Sequence, residues 1–316
     1  MKILVAGGAG FIGSHLVERL VSRGDQVTVI DDLSSGLEDN LYLVKDKVTF
    51  VKADISGYET KENFNVIINL ASRASRMEWE TFPVGVALSN SIGNNNLIKI
   101  ALNSGARYIF ASTSEVYGNP EIVPTPETYI GRVSSVGSRS PYDESKRFGE
   151  ALVKAYEREY KLDSIIIRFF NTYGPRMRGG DLYGRVLDRF IQQALYSKSL
   201  TVYGDGSQTR SFTHVSDTVT AILMLMSNGK SGEIYNVGND REISIIELAN
   251  LVKNVTGSST EITFESLPPD DPKRRAADIS KIEKLGWRPK VELSDGILTM
   301  VEYEMNDRKW EKRIIS

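Results

Sequence analysis

An α/β fold built on a parallel sheet, with helices on both faces, is what this sequence predicts, and three observations predict it. Strand-length apolar runs alternate with stretches of helical period over the first 170 residues. The first run, Lys2–Ala6, passes straight into Gly7-Gly8-Ala9-Gly10-Phe11-Ile12-Gly13. Apolar residues Ile12, Leu16, Leu20 and Val17, Val21 then recur at helical spacing until Gly24 stops the helix. Last, the run Tyr108-Ile-Phe-Ala111 ends in Ser112-Thr-Ser-Glu115, which puts hydroxyls and a carboxylate at the carboxyl end of a strand. In an open α/β sheet that edge is where ligands bind.

The remaining elements follow in order. Val27-Thr-Val-Ile30 is a second strand that ends at Asp31, and the runs 48–52, 66–70 and 164–168 supply others. Helices are expected over 83–103, stopped by Gly105, and over 142–160. Past residue 170 the texture changes. Asn171-Thr-Tyr-Gly-Pro175 reads as a turn, and Gly179-Gly180-Asp181 as a flexible loop before a helix over 185–197. Short strands at Leu200–Tyr203 and Ile234–Val237 come next. A helix opened by the capping box Ser244-Ile-Ile-Glu247 and a last helix capped by Ser294 follow. Pro268-Pro-Asp-Asp-Pro272 is the stiffest linker. The expected organisation is a large domain over 1–170, to which 205–235 partly returns, and a smaller α/β lobe, mainly 171–316, that closes over the sheet edge.

Composition excludes several classes. With 316 residues the chain can bury a large core. A net charge of −2, with both signs interspersed, does not fit nucleic acid or an anionic membrane as the main partner. No apolar stretch approaches the roughly 20 residues of a membrane-spanning helix, and the amino-terminal run lacks a signal-peptide pattern. The expectation is a soluble, cytoplasmic chain. Zero cysteines exclude disulfides, thiolate metal sites and a thiol nucleophile. His15 and His214 are the only histidines, so no metal site is expected; His15 reads as packing or phosphate-adjacent.

The chemistry sits in two places. Glycines at 7, 10 and 13 allow a tight turn, close approach to a pyrophosphate and packing of helix on strand. Asp31, about 20 positions on, is placed to bind an adenosine ribose 2′-hydroxyl and to repel a 2′-phosphate, which favours NAD over NADP. Further along, Tyr142 and Lys146 are spaced to share one helix face. An ammonium beside a phenol favours the phenolate and makes the tyrosine a usable base.

Taken with Asp54 in Lys52-Ala-Asp-Ile55, Asn69-Leu70-Ala71 and Ser112-Thr113, these residues resemble the extended short-chain dehydrogenase/reductase family of nucleotide-sugar enzymes over essentially the whole chain. The resemblance implies a Rossmann-type doubly wound sheet. It implies NAD held by Gly7, Gly10, Phe11, Ile12, Gly13, Asp31, Asp32, Asp54, Ile55, Leu70 and Ala71 together with Tyr142 and Lys146. It also implies a homodimer through a four-helix bundle of helices 83–103 and 142–160, with Leu97, Ile98 and Leu102 on one and Phe148, Leu152 and Tyr156 on the other as surplus apolar residues.

Within the family the chain is most similar to the UDP-glucuronate decarboxylases. The matching stretches are Ala111-Ser-Thr-Ser-Glu-Val-Tyr-Gly118, Tyr142-Asp-Glu-Ser-Lys-Arg147, Phe170-Asn-Thr-Tyr-Gly-Pro-Arg-Met177, 200–212 and 270–275 with Asp278-Ile279. By that resemblance Thr113, Glu115, Tyr142 and Lys146 are catalytic, and Asn171, Arg185, Tyr203, Arg210 and Arg275 hold the UDP part of a UDP-sugar. One loop departs. Where the decarboxylases carry a proline-rich stretch with a tyrosine lining the sugar pocket, this chain reads Ser72-Arg-Ala-Ser-Arg-Met-Glu-Trp-Glu80. Arg73 and Arg76 are therefore candidates to grip a substrate carboxylate, with solvated pairing to Glu78 or Glu80 as the other reading. A tight grip would favour an enzyme that keeps the carboxylate. A 4-epimerase shares the oxidation to a 4-ketone but usually has a small residue where Glu115 stands. A 4,6-dehydratase needs an acid and a base where Ser114-Glu115 offers one carboxylate, and a non-catalytic NAD sensor would not need Thr113, Tyr142 and Lys146 together.

Overall fold

The computed structural model describes residues 1–178, 185–266 and 274–314, with side chains up to residue 306. The expected loop 179–181 and linker 268–272 lie outside the described residues. Six strands come first: β1 (Lys2–Ala6), β2 (Gln26–Asp31), β3 (Val48–Lys52), β4 (Val66–Asn69), β5 (Arg107–Thr113) and β6 (Ser164–Phe169). Four short ones follow, β7 (Thr172–Tyr173), β8 (Leu200–Tyr203), β9 (Thr209–Ser211) and β10 (Thr213–His214), and then β11 (Ile234–Val237), β12 (Glu242–Ser244) and β13 (Ile262–Glu265). The main sheet has seven strands in the order β11-β6-β5-β4-β1-β2-β3, all parallel. The order reverses beside β1, and in such sheets the crevice at the reversal takes the ligand.

Helices α1 (Phe11–Ser22), α2 (Arg76–Thr81), α3 (Pro83–Leu88), α4 (Asn94–Ser104) and α5 (Ser140–Tyr160) belong to the first half. In the second half come α6 (Val186–Leu195), α7 (Val215–Asn228), α8 (Ile245–Thr256), α9 (Ser280–Glu283) and α10 (Leu293–Ile314). Strand alternation divides the core. On β1, Ile3 and Val5 join Leu16, Val17 and Leu20 of α1 and Ile222 and Leu225 of α7. Leu4 and Ala6 point the other way, to Leu97, Ile98 and Ala101 of α4 and Val153 of α5. Each such buried aliphatic side chain contributes roughly 1.5–3 kcal/mol. A third cluster joins Phe190, Ile191, Val202, Leu248, Val252 and Ile297 in the smaller lobe.

Several expectations shift. Helix 83–103 is continuous but changes pitch, with a π-helical turn at Ser89–Gly93 between α3 and α4. The stretch 171–175 contains β7, paired with β10, rather than a turn alone. Helix α10 starts at Leu293, so Ser294 lies inside its first turn and does not cap it. Leu97 and Ile98 are fully buried in the core and are not surplus to it. Neither α2 nor α7 was expected. The Ser75–Glu78 capping box that opens α2 is legible in Ser-x-x-Glu. The apolar run 221–226 hides the period of α7, because this helix is covered by the sheet on one side and by α1 on another. Among the described residues no helix is long and apolar enough to cross a membrane.

Candidate active site

A cavity of about 440 Å³ opens at the carboxyl ends of the central strands. One wall is the turn between β1 and α1. Gly7 has φ +76°, and a Cβ on it would sit 2.7 Å from the Ala71 backbone nitrogen. At Gly13 a Cβ would lie 2.1 Å from the Gly7 carbonyl, so only glycine lets α1 pack on β1. A Cβ on Gly10 would meet the Gly7 carbonyl alone, at 3.2 Å. Gly10 N-caps α1 with no side-chain hydrogen bond, which leaves the helix start open to an anion.

At the end of β2 the buried Asp31 accepts hydrogen bonds from Ala9 N and Leu33 N, both at 2.9 Å, and burial raises its carboxyl above the usual range. Asp32 accepts from Ser34 N, and Asp54 from Ser56 N. With Phe11, Ile12, Ile55, Leu70 and Ala71 they line the cavity. A glycine cradle at one end, carboxylates beyond it and apolar Ile55 between them fit the diphosphate, ribose and adenine of a dinucleotide.

Tyr142 and Lys146 sit one turn apart on α5, both buried, with Thr113 opposite, and all three line the cavity. Lys146 Nζ donates to the Ala111 carbonyl at 2.7 Å and lies 5.0 Å from the Phe110 ring centre. At the Tyr142 phenol burial is the largest influence. Burial pushes Tyr142 upward, the Thr113 hydroxyl opposes it, Glu115 and Asp143 add to the rise, and Arg185 pulls back. Burial also lowers the Lys146 ammonium to about 7, against the pull of Glu150. With both polar heads out of water, desolvation is the largest influence on each.

Glu115 follows directly on Thr113 and Ser114, in a short 3₁₀ turn after β5. Arg275 clamps it, Nη1 at 2.5 Å and Nη2 at 3.1 Å, and Arg139 binds the same carboxylate. Burial alone would raise Glu115, but Arg275 and then Arg139 hold it below the usual carboxylate range. Arg139 also lies over the Trp79 ring at 5.1 Å, and Trp79 stacks on Tyr142 at 4.9 Å with an 18° tilt. The sequence reading missed Arg139 and Trp79, since no spacing rule marks an arginine three residues before the tyrosine or a tryptophan on another loop.

The other expected substrate residues divide. Arg210 contributes to the field at Glu115, and Asn171 donates to the Ser211 carbonyl at 3.1 Å, next to the Arg275 segment. Tyr203 is apart from these, its ring under Arg189 at 4.5 Å. Arg185 lines the cavity near Tyr142 and Glu78, at the reacting end. Both loop arginines have carboxylate partners within the chain. Arg76 faces solvent and pairs with Glu80 at 2.8 Å. Arg73 lines the cavity and lies 3.5 Å from Asp32. Among the described residues no group of acids and histidines could hold a metal ion.

The sequence profile of the NAD dependent epimerase/dehydratase family matches residues 3–238. The chain belongs to that family. NAD is its cofactor, and the glycine cradle and Asp31 fit it. UDP-glucuronic acid decarboxylase 5 of Arabidopsis thaliana is 44% identical over 306 residues, 96% of this chain and 89% of that protein. A UDP-glucose 4-epimerase of Thermotoga maritima, solved with UDP-glucose, superposes with a TM-score of 0.89 at 33% identity, over 98% of this chain and 100% of that one. A UDP-glucuronic acid 4-epimerase of Bacillus cereus, solved with UDP-glucuronic acid and NAD, gives 0.87 at 29% identity over 97% and 99%.

Proposed function

We propose that this protein is a UDP-glucuronate decarboxylase that works through a 4-keto sugar. The observation that carries the reading is Glu115, ionised and held by Arg275 and Arg139 beside Thr113 and Tyr142. Decarboxylase relatives at 40–44% identity, aligned over nearly the whole chain, support it. Tyr142, as the phenolate, takes the proton of the sugar 4-hydroxyl while Thr113 hydrogen-bonds that oxygen. The positive nicotinamide of bound NAD would favour that phenolate against the burial that raises the phenol. Lys146, anchored on the Ala111 carbonyl, keeps its ammonium at the tyrosine's helix turn. NAD, when bound, accepts the C4 hydrogen with its electron pair and later gives it back.

The 4-ketone makes the C5 carboxylate a β-keto acid. Its C5–C6 bond breaks, carbon dioxide leaves, and the electron pair passes to the ketone oxygen as an enolate. A water then gives C5 its proton, leaving hydroxide that the proton held on Tyr142 and solvent neutralise, before hydrogen returns to C4. Glu115 cannot deliver that proton as an acid, being ionised; it fixes the two arginines and orients the ring or a water. The pairing of Arg76 with Glu80 and of Arg73 with Asp32 supports carbon loss over a tight grip on the carboxylate.

The proposal extends to the wider setting: a homodimer, a cofactor-holding part over 1–170 with a UDP-sugar lobe mainly over 171–316, and a cytoplasmic location. Among the substrate residues we assign Asn171, Arg185, Tyr203, Arg210 and Arg275 to the nucleotide sugar and withdraw Arg73 and Arg76. The 4-epimerase reading is favoured by the two epimerase structures named above. Mass analysis of products from UDP-glucuronate separates them: loss of carbon dioxide is expected, and an epimer of unchanged mass with no pentose would end the decarboxylase reading.

A further inference from the structure

Two carboxyl groups reach for one guanidinium beside Tyr142, next to the cavity. Arg139 binds Glu115 directly and lies 3.6 Å, through Nε, from Asp143 Oδ2. Glu115 has Arg275 as a second, two-pronged partner, whereas Asp143 has nothing comparable. Asp143 is 6% exposed and its Oδ1 has no hydrogen-bond partner. An ionised carboxylate out of water needs donors on both oxygens, and an unpaired one is heavily penalised. The geometry therefore singles out Asp143 as the member of the pair that carries a proton. On the other side of the cluster Arg275, 8% exposed, has an Nε that also lacks a partner.

We propose that Asp143 sets the charge of the sugar pocket. As a neutral acid it leaves Arg139 and Arg275 in excess over Glu115, by one positive charge, and this excess draws in a sugar bearing a carboxylate. As a carboxylate it lowers the charge of the site, to which Arg185 and Arg210 also contribute, by one. The inference rests on the decarboxylase reading and deepens it, since both arginines are already committed to Glu115. They attract the substrate carboxylate by net charge without a fresh bidentate clamp that would hold it back from leaving.

The groups facing Asp143 are Glu115 and Glu144, which push its carboxyl up, Arg139 and Arg275, which pull it down, and the neighbouring Tyr142 phenol. Burial is the largest influence, and together they put Asp143 at about 7. The proton is present below that pH and lost above it. Asp143 touches no reacting atom in this account; it acts through Arg139.

The test is equilibrium binding to the NAD-loaded protein between pH 6 and 8.5, with UDP-glucuronate and with UDP-glucose, which lacks the carboxylate. UDP-glucuronate should weaken about tenfold as the pH rises through 7, and UDP-glucose should stay flat. Asp143→Asn should bind UDP-glucuronate with no such slope, at the level the unaltered protein reaches at low pH. Equal slopes for the two sugars in the unaltered protein would overturn the proposal without recourse to any variant. So would an Asp143→Asn protein that binds NADH normally yet keeps the full slope. If UDP-glucuronate binds at no pH while UDP-glucose does, the substrate reading itself falls, and this inference with it.

Discussion

The phenol of Tyr142 bonds to the Thr113 hydroxyl and lines the cofactor cavity, in position to take a hydroxyl proton. Replacing it with phenylalanine removes one oxygen from a side chain otherwise fixed by stacking on Trp79. Tyr142→Phe should therefore lower kcat at least a hundredfold, in the range of general acid–base effects of roughly 10²–10⁴. NAD should stay bound, because the glycine cradle and Asp31 are untouched. Turnover and retained dinucleotide in the same preparation check this, and near-normal turnover would refute the mechanism. Residue identity and helix spacing made Tyr142 and Lys146 legible in the sequence. Their electrostatics were not, because a pKa depends on burial, and no spacing rule reports that Phe110 and the Ala111 carbonyl enclose the lysine. The same blindness hid the partner of Arg73. Its partner Asp32 is 41 positions away, and only the fold brings them together.

Between β5, β6 and α5 lies a buried polar network that the chemistry depends on without touching. Glu150, one turn beyond Lys146, accepts Arg168 Nε at 2.8 Å and Nη2 at 2.7 Å, and the Ser112 hydroxyl at 2.5 Å. Arg168 also donates to the Tyr117 hydroxyl, which in turn donates to Asn236 on β11. Four elements are thus locked beneath the active site. Glu150→Gln leaves the Arg168 charge buried and half-paired, which should cost about 3–5 kcal/mol by urea denaturation. It should also move Lys146 further down, since Glu150 is the group that holds it up. The sign follows from linkage. A lysine depressed on folding binds fewer protons in the folded state above about 7, so stability rises with pH from there toward its unfolded value. The variant should begin that rise at lower pH; an unchanged onset with unchanged stability would refute the argument. At this scale the sequence was clearest where the helical period is clean, as in α1 and α5, or where a cap marks the start, as in the Ser244–Glu247 box of α8. It failed at α7, whose apolar residues answer to two neighbours at once and so show no single face.

On the whole molecule, the exposed apolar residues on neighbouring helices α3 and α5 argue for a second copy of the chain. Leu88 and Ile92 are exposed but line the cofactor cavity, so they answer to NAD. That leaves Val84, 69% exposed, and Phe148, 51% exposed, on helices that pack against each other, with exposed Ala151 and Ala155 extending the α5 face. Small residues beside one large aromatic let two helices approach closely. Phe148 is two positions from Lys146, hence on the opposite side of α5 from the active site. A two-fold axis would bury it twice, so a charge there should weaken a dimer by about 3–6 kcal/mol, at roughly 1.5–3 for each ring. Phe148→Glu should therefore raise the dimer dissociation constant at least a hundredfold, read by light scattering across a dilution series, with NADH binding retained because Tyr142 and Lys146 face the other way. A variant of the same mass as the unaltered protein at every dilution would show that this face meets no second copy. The expectation from the sequence named Leu97 and Ile98 for this role. Both sit under the sheet instead, since a helical pattern gives the direction of an apolar stripe but not which of its neighbours the fold places there.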